Sequence, residues 1–447
     1  MIRSLSRWAF ALVLFAPPSF AVLVEAQLDN GLRVLVKEDH RAPVVASMVW
    51  YRCGSMDESS GATGVAHVLE HMMFKGTEAV PPGQFSKIIA RAGGRDNAFT
   101  NRDSTVYHQQ LHKSQLELAL RLEADRMRNL LLPKEEFDKE IRVVMEERRL
   151  RTEDQPRALL YEQFMATAYQ AHPYRTPVIG WMRDLENMSV DDARAWYQRW
   201  YTPANATLVV VGDVAADDVL ALARRYFGPL PARALPPRKA FAEPAQRGER
   251  RVVLQAPAEL PQVMLGWHVP ALRDVESDWE PYALWVLAAI LDANEAARLQ
   301  SELVRAQKIA VAANANYDAV NRGPSQFVLT ATPALGRSAQ EVEAALRAQV
   351  KRLIDEGVRA DELRRTKVQA VATRVFQQDS MFGQAMQFGA LSNAGLPPDS
   401  IDIQVRKLQE VTAEQVQSVA RKYLVDDGLT VATLAPLPSA KDRQAGR

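Results

Sequence analysis

The sequence predicts an α+β protein built as two homologous domains, each a largely antiparallel sheet packed with helices. Three observations carry that expectation. A proline-rich stretch divides the chain into parts of similar length, segments of one part recur in the other at fixed offsets, and period-2 runs alternate with long helical ones. The chain has 447 residues, 47% of them apolar, enough for sizeable cores. Its 55 Lys and Arg balance 54 Asp and Glu, for a formal charge of +1. That balance gives no overall attraction to nucleic acid, and with the apolar content it excludes wholesale disorder. The single cysteine, Cys53, excludes an internal disulfide framework and a Cys-rich metal module.

In chain order, residues 1–21 read as a secretory signal peptide. Arg3 and Arg7 precede the apolar run Trp8–Ala16, Pro17 and Pro18 stop it, and Ser19 and Ala21 supply the small residues of a cleavage site. The run is too short for a bilayer span, which takes about 20 residues, and no later stretch is long enough. Export without disulfides suits a periplasm. Residues 22–228 form the first domain. Residues 229–250 hold five prolines and many charges, a linker composition. Residues 251–437 form the second domain, and 438–447 a polar tail.

The case for duplication rests on two ungapped matches in the same order. Met188–Tyr201 and Ala206–Val211 recur as Val411–Leu424 and Leu429–Leu434 at a constant offset of 223. Ser189 and Thr412 are good helix caps followed closely by acids, so each segment reads as a capped helix and a buried strand. Pro43–Tyr51 pairs with Pro261–Val269 at an offset of 218, and both look like strands. Alternation in Leu32–Val36 and Ser104–Gln110 predicts partly exposed sheets.

Two of the seven histidines fall in Val65–Phe74, as His67-Val68-Leu69-Glu70-His71. On a helix, His67 and His71 share a face and can take two positions of a tetrahedral zinc. Glu70 adjoins that face and can reach a metal-acidified water without competing as a ligand. The order inverts that of His-Glu-x-x-His peptidases. Gly61 and Gly64 allow a tight approach to the helix. Its apolar flanks imply burial, where two unpaired imidazoles and a carboxylate are costly without a metal. A third protein ligand is needed, leaving the fourth position open. The best source is the helix Lys134–Arg151, on which Glu140, Val144 and Glu147 share a stripe led by Phe137. Spacing alone does not choose between Glu140 and Glu147. His108 and His112 share one face of an alternating, strand-like run and read as structural.

At this point the chain resembles the pitrilysin/insulinase family of zinc metallopeptidases, in its shorter bacterial and processing-peptidase-like branch. The likeness spans 29–58, the helix continued by 72–78, the stretch 93–108 and the helix 139–149. It implies one zinc ion per chain, with Glu147 as third ligand and Glu140 as a supporting acid. It implies that Glu70 is the general base. It also makes Asn97, Ala98, Phe99 and Thr100 an edge strand that pairs with an extended peptide, with Gly93 and Gly94 allowing close approach. The two domains are expected to face each other as a clam around a cavity.

At the offset of 218, His67 falls on Trp285, Glu70 on Ala288 and His71 on Ala289. The second copy keeps the apolar face and loses every metal group, so catalysis belongs to the first domain. Family members carry an Arg and a Tyr in the second domain that help bind substrate and polarise its carbonyl. Arg305 matches the arginine. The tyrosine position holds Val311 or Ala312, Tyr317 comes later, and the glycine-rich turn before this helix is missing. The expectation is therefore an exported zinc endopeptidase acting on peptides or unfolded polypeptides. A homologous second subunit, in a heterodimer or homodimer, is expected to supply the missing donors. The alternative is a non-catalytic peptide-binding or structural subunit of a related two-chain complex.

Overall fold

The computed structural model describes residues 22–437, so the expected signal peptide and polar tail lie outside the described residues. The first part contains strands β1 (Val24–Gln27), β2 (Arg33–Glu38), β3 (Val44–Tyr51), β4 (Arg95–Thr100), β5 (Thr105–His112) and β6 (Ala206–Gly212). Its helices are α1 (Val65–Met72), α2 (Phe85–Arg91), α3 (Leu116–Asn129), α4 (Lys134–Arg148), α5 (Pro156–Ala168), α6 (Met182–Asn187), α7 (Val190–Trp200) and α8 (Ala216–Tyr226). The second part contains β7 (Arg250–Ala256), β8 (Gln262–Val269), β9 (Ala310–Tyr317), β10 (Ser325–Pro333) and β11 (Leu429–Pro436). With them come α9 (Trp279–Asp292), α10 (Ala339–Glu356), α11 (Ala360–Phe376), α12 (Met381–Ala394), α13 (Ile401–Glu410) and α14 (Ala413–Tyr423).

The two sheets share one topology. The first runs β1-β2-β6-β3-β5-β4 and the second β7-β11-β8-β10-β9, so five strands correspond in order. Each is antiparallel except for one parallel pair, β2 with β6 and β7 with β11. The matched strands β3 and β8, and the matched helices α7 and α14, fall where the sequence offsets put them. Both helices open with a reciprocal cap, Ser189 with Asp192 and Thr412 with Gln415.

The expectation of partly exposed sheets is corrected at their centres. Val34 and Leu35, and likewise Val209 and Val210, are neighbours on opposite faces, yet all four are buried. The cause is an exchange of helices. Helix α5 lies on β7, β8 and β11 of the second sheet, while α12 lies on β3 and β6 of the first. A glycine admits an aromatic ring at each seam. Any side chain at Gly266 on β8 would overlap Phe164 of α5, and any at Gly389 in α12 would overlap Trp50 of β3. The second core consequently runs without a break onto the outer face of the first sheet, through Met48, Trp50 and Val209.

The stretch 229–249 has no helix or strand, and β7 begins at Arg250. It is nonetheless tied down. Glu243 accepts hydrogen bonds from the backbone N–H groups of Gln170, Ala171 and His172 at 2.6, 2.9 and 2.8 Å. Arg238 donates to Asp57 at 2.7 Å. The facing halves leave cavities between them of about 620 Å³ beneath this stretch and about 800 Å³ beside the N-terminal end of α12.

Candidate metal centre

Helix α1 is fixed at its N-terminus. Gly64 has φ +89°, and a Cβ there would lie 2.6 Å from the Ile179 carbonyl oxygen, so only glycine fits. The Glu58 carboxylate accepts from the backbone N–H groups of Gly64 and Ala66 at 2.8 and 2.9 Å. Burial pushes the Glu58 carboxyl up to about 8, against the pull of those two bonds. Val65, Val68, Leu69 and Met72 bury one face of α1, which turns His67, Glu70 and His71 to the other.

Helix α4 brings the third group. Phe137 and Val144 bury its inner stripe. At its end Arg148 is buried, donating through Nη1 and Nη2 to the two carboxylate oxygens of Glu162 on α5, at 2.9 and 3.0 Å, and to the Gly180 carbonyl at 2.8 Å. A π-helical segment, Arg149–Glu153, then carries the chain toward α5. With α4 held there, Glu147 Oε2 lies 3.9 Å from His67 Nε2 and 3.4 Å from His71 Nε2.

One ligand atom from each of His67, His71 and Glu147 lies within 4.8 Å of the others. Donors about 2.0–2.2 Å from a tetrahedral zinc stand about 3.3–3.6 Å apart, so the set would hold that ion after closing in by about 1 Å. Two imidazoles and a carboxylate leave a fourth position, the pattern of a catalytic rather than a structural zinc. Burial first, then His71 and Arg151, pull the His67 imidazole down to about 3, which keeps it in the neutral, ligating form. His67 Nδ1 is buried without a partner.

Glu140 does not join the ligands. Its Oε2 is 3.2 Å from His71 Nδ1, and its Oε1 is 2.5 Å from Lys75 Nζ. It therefore holds the far side of His71, leaving Nε2 for a metal. Burial lowers the His71 pKa, but the Glu140 bond and the Glu70 and Glu147 carboxylates outweigh it, so the net shift is upward. The bond to His71, followed by Lys75, holds the Glu140 carboxyl low despite burial. Glu70 stands outside the ligand set, its Oε2 accepting from Thr100 Oγ1 at 2.6 Å. Burial raises the Glu70 pKa, and the Thr100 bond offsets part of that rise.

Thr100 ends β4, the edge strand of the first sheet, whose pairing with β5 runs from Arg95 opposite Gln110 to Thr100 opposite Thr105. Gly94 lets the chain approach β5 closely, since a Cβ there would meet the Leu111 Cβ at 2.9 Å. Asn97, Ala98, Phe99 and Thr100 line one cavity of about 700 Å³ with His67, Glu70, His71 and Glu147. Asn97 Oδ1 accepts from the Ala98 N–H at 2.9 Å.

Comparison with known proteins settles the family. The chain is 32% identical to the zinc protease PqqE of Helicobacter pylori over 92% of each chain. Residues 33–180 match the family model for Insulinase (Peptidase family M16), and residues 187–369 match that for the Peptidase M16 inactive domain. The chain belongs to peptidase family M16. The crystal structure of a protease from Helicobacter pylori, 30% identical, superposes with a TM-score of 0.88 over 93% of this chain and 100% of that one. The first half of the periplasmic protease PqqL from Escherichia coli, at 22% identity, shares the fold, with a TM-score of 0.77 over 94% of this chain and 93% of that one.

In this M16 chain the structure separates some expected site residues from the rest. The cavity around the His-His-Glu cluster is lined by residues of the first half alone, between His67 and Ile179. Arg305 is not among them. It lies in the π-helical segment Leu299–Ala306, half-exposed, with Nη1 3.7 Å from the Glu295 carboxylate. Tyr317 is no substitute, for it is buried in β9 and donates to the Pro270 carbonyl at 2.6 Å. Trp285, Ala288 and Ala289 lie within α9, and among the described residues no second metal cluster occurs. His108 meets Phe382 edge-on, with ring centroids 5.0 Å apart, and His112 Nδ1 lies 2.9 Å from Ser114 Oγ. No helix among the described residues is long and apolar enough to cross a membrane.

Sequence reasoning missed Glu58, Lys75 and the Arg148–Glu162 pair. Arg148 sits in a run of charges, and nothing local marks one arginine of that run as buried. The clue for Glu58 is its place before Gly61 and Gly64, where an acid can turn back onto a helix N-terminus.

Proposed function

We propose that this M16 chain is an exported zinc endopeptidase that cleaves extended segments of peptides or unfolded polypeptides. The observation that carries the reading is the convergence of His67, His71 and Glu147 beside an edge strand, with Glu70 adjacent but outside the ligand set. His67, His71 and Glu147 would hold the ion. When bound, zinc acidifies a water and polarises the scissile carbonyl. Glu70 accepts the proton of the attacking water and passes it to the departing amine. Thr100 orients the Glu70 carboxylate, and Glu140 orients His71. The free edge of β4 takes an extended chain by main-chain hydrogen bonds, which suits unfolded substrates.

The oxyanion donors come, in this reading, from a second, related subunit. Arg305 is engaged with Glu295, Tyr317 with Pro270, and the cavity wall holds no residue of the second half. A missing donor of this kind is worth about 3–4 kcal/mol of transition-state stabilisation.

The test is zinc content together with turnover. The purified chain is expected to hold one zinc ion and to cleave an internally quenched, unstructured peptide, with activity lost to a chelator and restored by zinc. Zinc-loaded protein that cleaves no such peptide, alone or with a homologous chain from the same organism, would overturn the endopeptidase reading. Full activity from a monomer would overturn the partner.

A further inference from the structure

The cavity contains an arginine that forms no ion pair among the described residues. Arg102 follows the end of β4 by two residues and lines the same cavity as Glu70 and Glu147. Its guanidinium lies over the rings of Tyr161 and Tyr174, 5.7 and 5.6 Å from their centroids. Nη2 donates to the Tyr161 hydroxyl at 3.0 Å, while Nε is buried with no hydrogen-bond partner. Among the described residues no carboxylate comes within ion-pair distance of it, and the largest favourable influences on its charge are the phenols of Tyr161, Tyr169 and Tyr174. The acids of the cavity are already engaged: Glu147 with Arg151 at 2.5 Å, Glu162 with Arg148, and Glu70 with Thr100. A guanidinium has five donors and cannot lose its charge, so desolvating it without an anion is costly. A second cavity arginine, Arg175, donates only to the Gln170 carbonyl, at 2.9 Å, and adds to the positive wall.

Position adds to charge. Thr100 touches the general base, and Arg102 lies two residues further along the chain. It stands in the turn between β4 and β5, on the wall of the cavity that Glu70 also lines. We propose that Arg102 is a specificity residue that receives a carboxylate of the substrate there. The carboxylate belongs either to an Asp or Glu side chain or to the C-terminus of a short peptide. The inference rests on the endopeptidase reading and names the substrate class for that same cleft.

The test uses the zinc-loaded full chain and quenched peptides made in matched pairs. One arm compares Glu with Gln at each of three positions on either side of the cleaved bond. The other compares a free C-terminus with its amide. A charge-assisted hydrogen bond predicts a tenfold to hundredfold preference in kcat/KM, roughly, for the acidic member at one position or for the free acid. Which arm responds identifies the source of the carboxylate. In R102Q the ratio within the responsive pair is expected to fall toward one, and in R102K to survive in part. A merely structural arginine would lower both members alike and leave the ratio standing, which overturns the proposal, as does a ratio of one throughout in the unaltered chain. The same pairs, labelled, are titrated by fluorescence anisotropy onto zinc-loaded E70Q protein. A carboxylate preference in binding without turnover in the unaltered chain sinks the endopeptidase reading and keeps Arg102. Turnover with no preference in either measurement does the reverse.

Discussion

Replacing Glu70 by glutamine separates the hydrolytic reading from a structural zinc. Glu70 contributes no atom to the cluster of His67, His71 and Glu147, so the Glu70→Gln protein should keep one zinc per chain. The amide oxygen can still accept the 2.6 Å hydrogen bond that Thr100 donates, which preserves the local geometry. Burial disfavours the ionised Glu70, so a neutral amide relieves a cost and the melting temperature should stay level or rise. The one thing removed is the ability to accept a proton. General-base catalysis contributes about 10²–10⁴-fold, which corresponds to about 3–5.5 kcal/mol of barrier. The assay is kcat on a quenched peptide at saturating substrate, with zinc measured by mass spectrometry on the same sample. A variant within tenfold of the unaltered kcat would refute the general-base assignment. A variant that loses its zinc would show that Glu70 belongs to the ligand set.

Three further outcomes follow from the same contacts. Glu140→Ala removes the acceptor on His71 Nδ1 and should weaken zinc binding by about 10–100-fold, read by competition with a chromogenic chelator; unchanged affinity would remove Glu140 from the site. Zinc affinity of the unaltered protein should fall as pH drops through the range where His71 titrates, because its raised pKa lets protons compete there, with a slope near one proton since His67 stays neutral to about 3; a two-proton slope would contradict this. Thr100→Val deletes the bond that holds the Glu70 pKa down, so that pKa should rise and the acid limb of the kcat/KM profile should move to higher pH; an unmoved limb would rule out Thr100 as its tuner.

The parts of this protein that were legible in the sequence are those with a local signal. The caps at Ser189 and Thr412, the spacing of His67, Glu70 and His71, and the prolines of 229–250 each act within a few residues. Glu140 and Glu147 were legible as a pair, and only the fold separates them, because one faces His71 Nδ1 and the other the two Nε2 atoms. The exchange of α5 and α12 left no comparable trace. Alternation along β2 reports side-chain direction, but it does not say that a helix from the other half will cover the second face. Arg305 has a good local match, and the fold sets it beside Glu295 rather than on the cavity of the His-His-Glu cluster.

That exchange ties the half without metal groups to the site in the other half. The second sheet grips α5 through β7, β8 and β11, and Phe164 of α5 fills the space that Gly266 leaves on β8. Helix α5 carries Glu162, which holds both nitrogens of the Arg148 fork. Arg148 is the residue next to Glu147, so the anchor set by the second half acts one residue from the carboxylate that closes the His67–His71 pair. A metal ligand must be held to within about 0.5 Å of its working place, and a helix ending at the protein surface would fray there. In the proposed reading the second half thus positions a ligand that it does not supply. Its loss of histidines at Trp285 and Ala289 costs the site nothing, whereas loss of its grip on α5 would release Glu147.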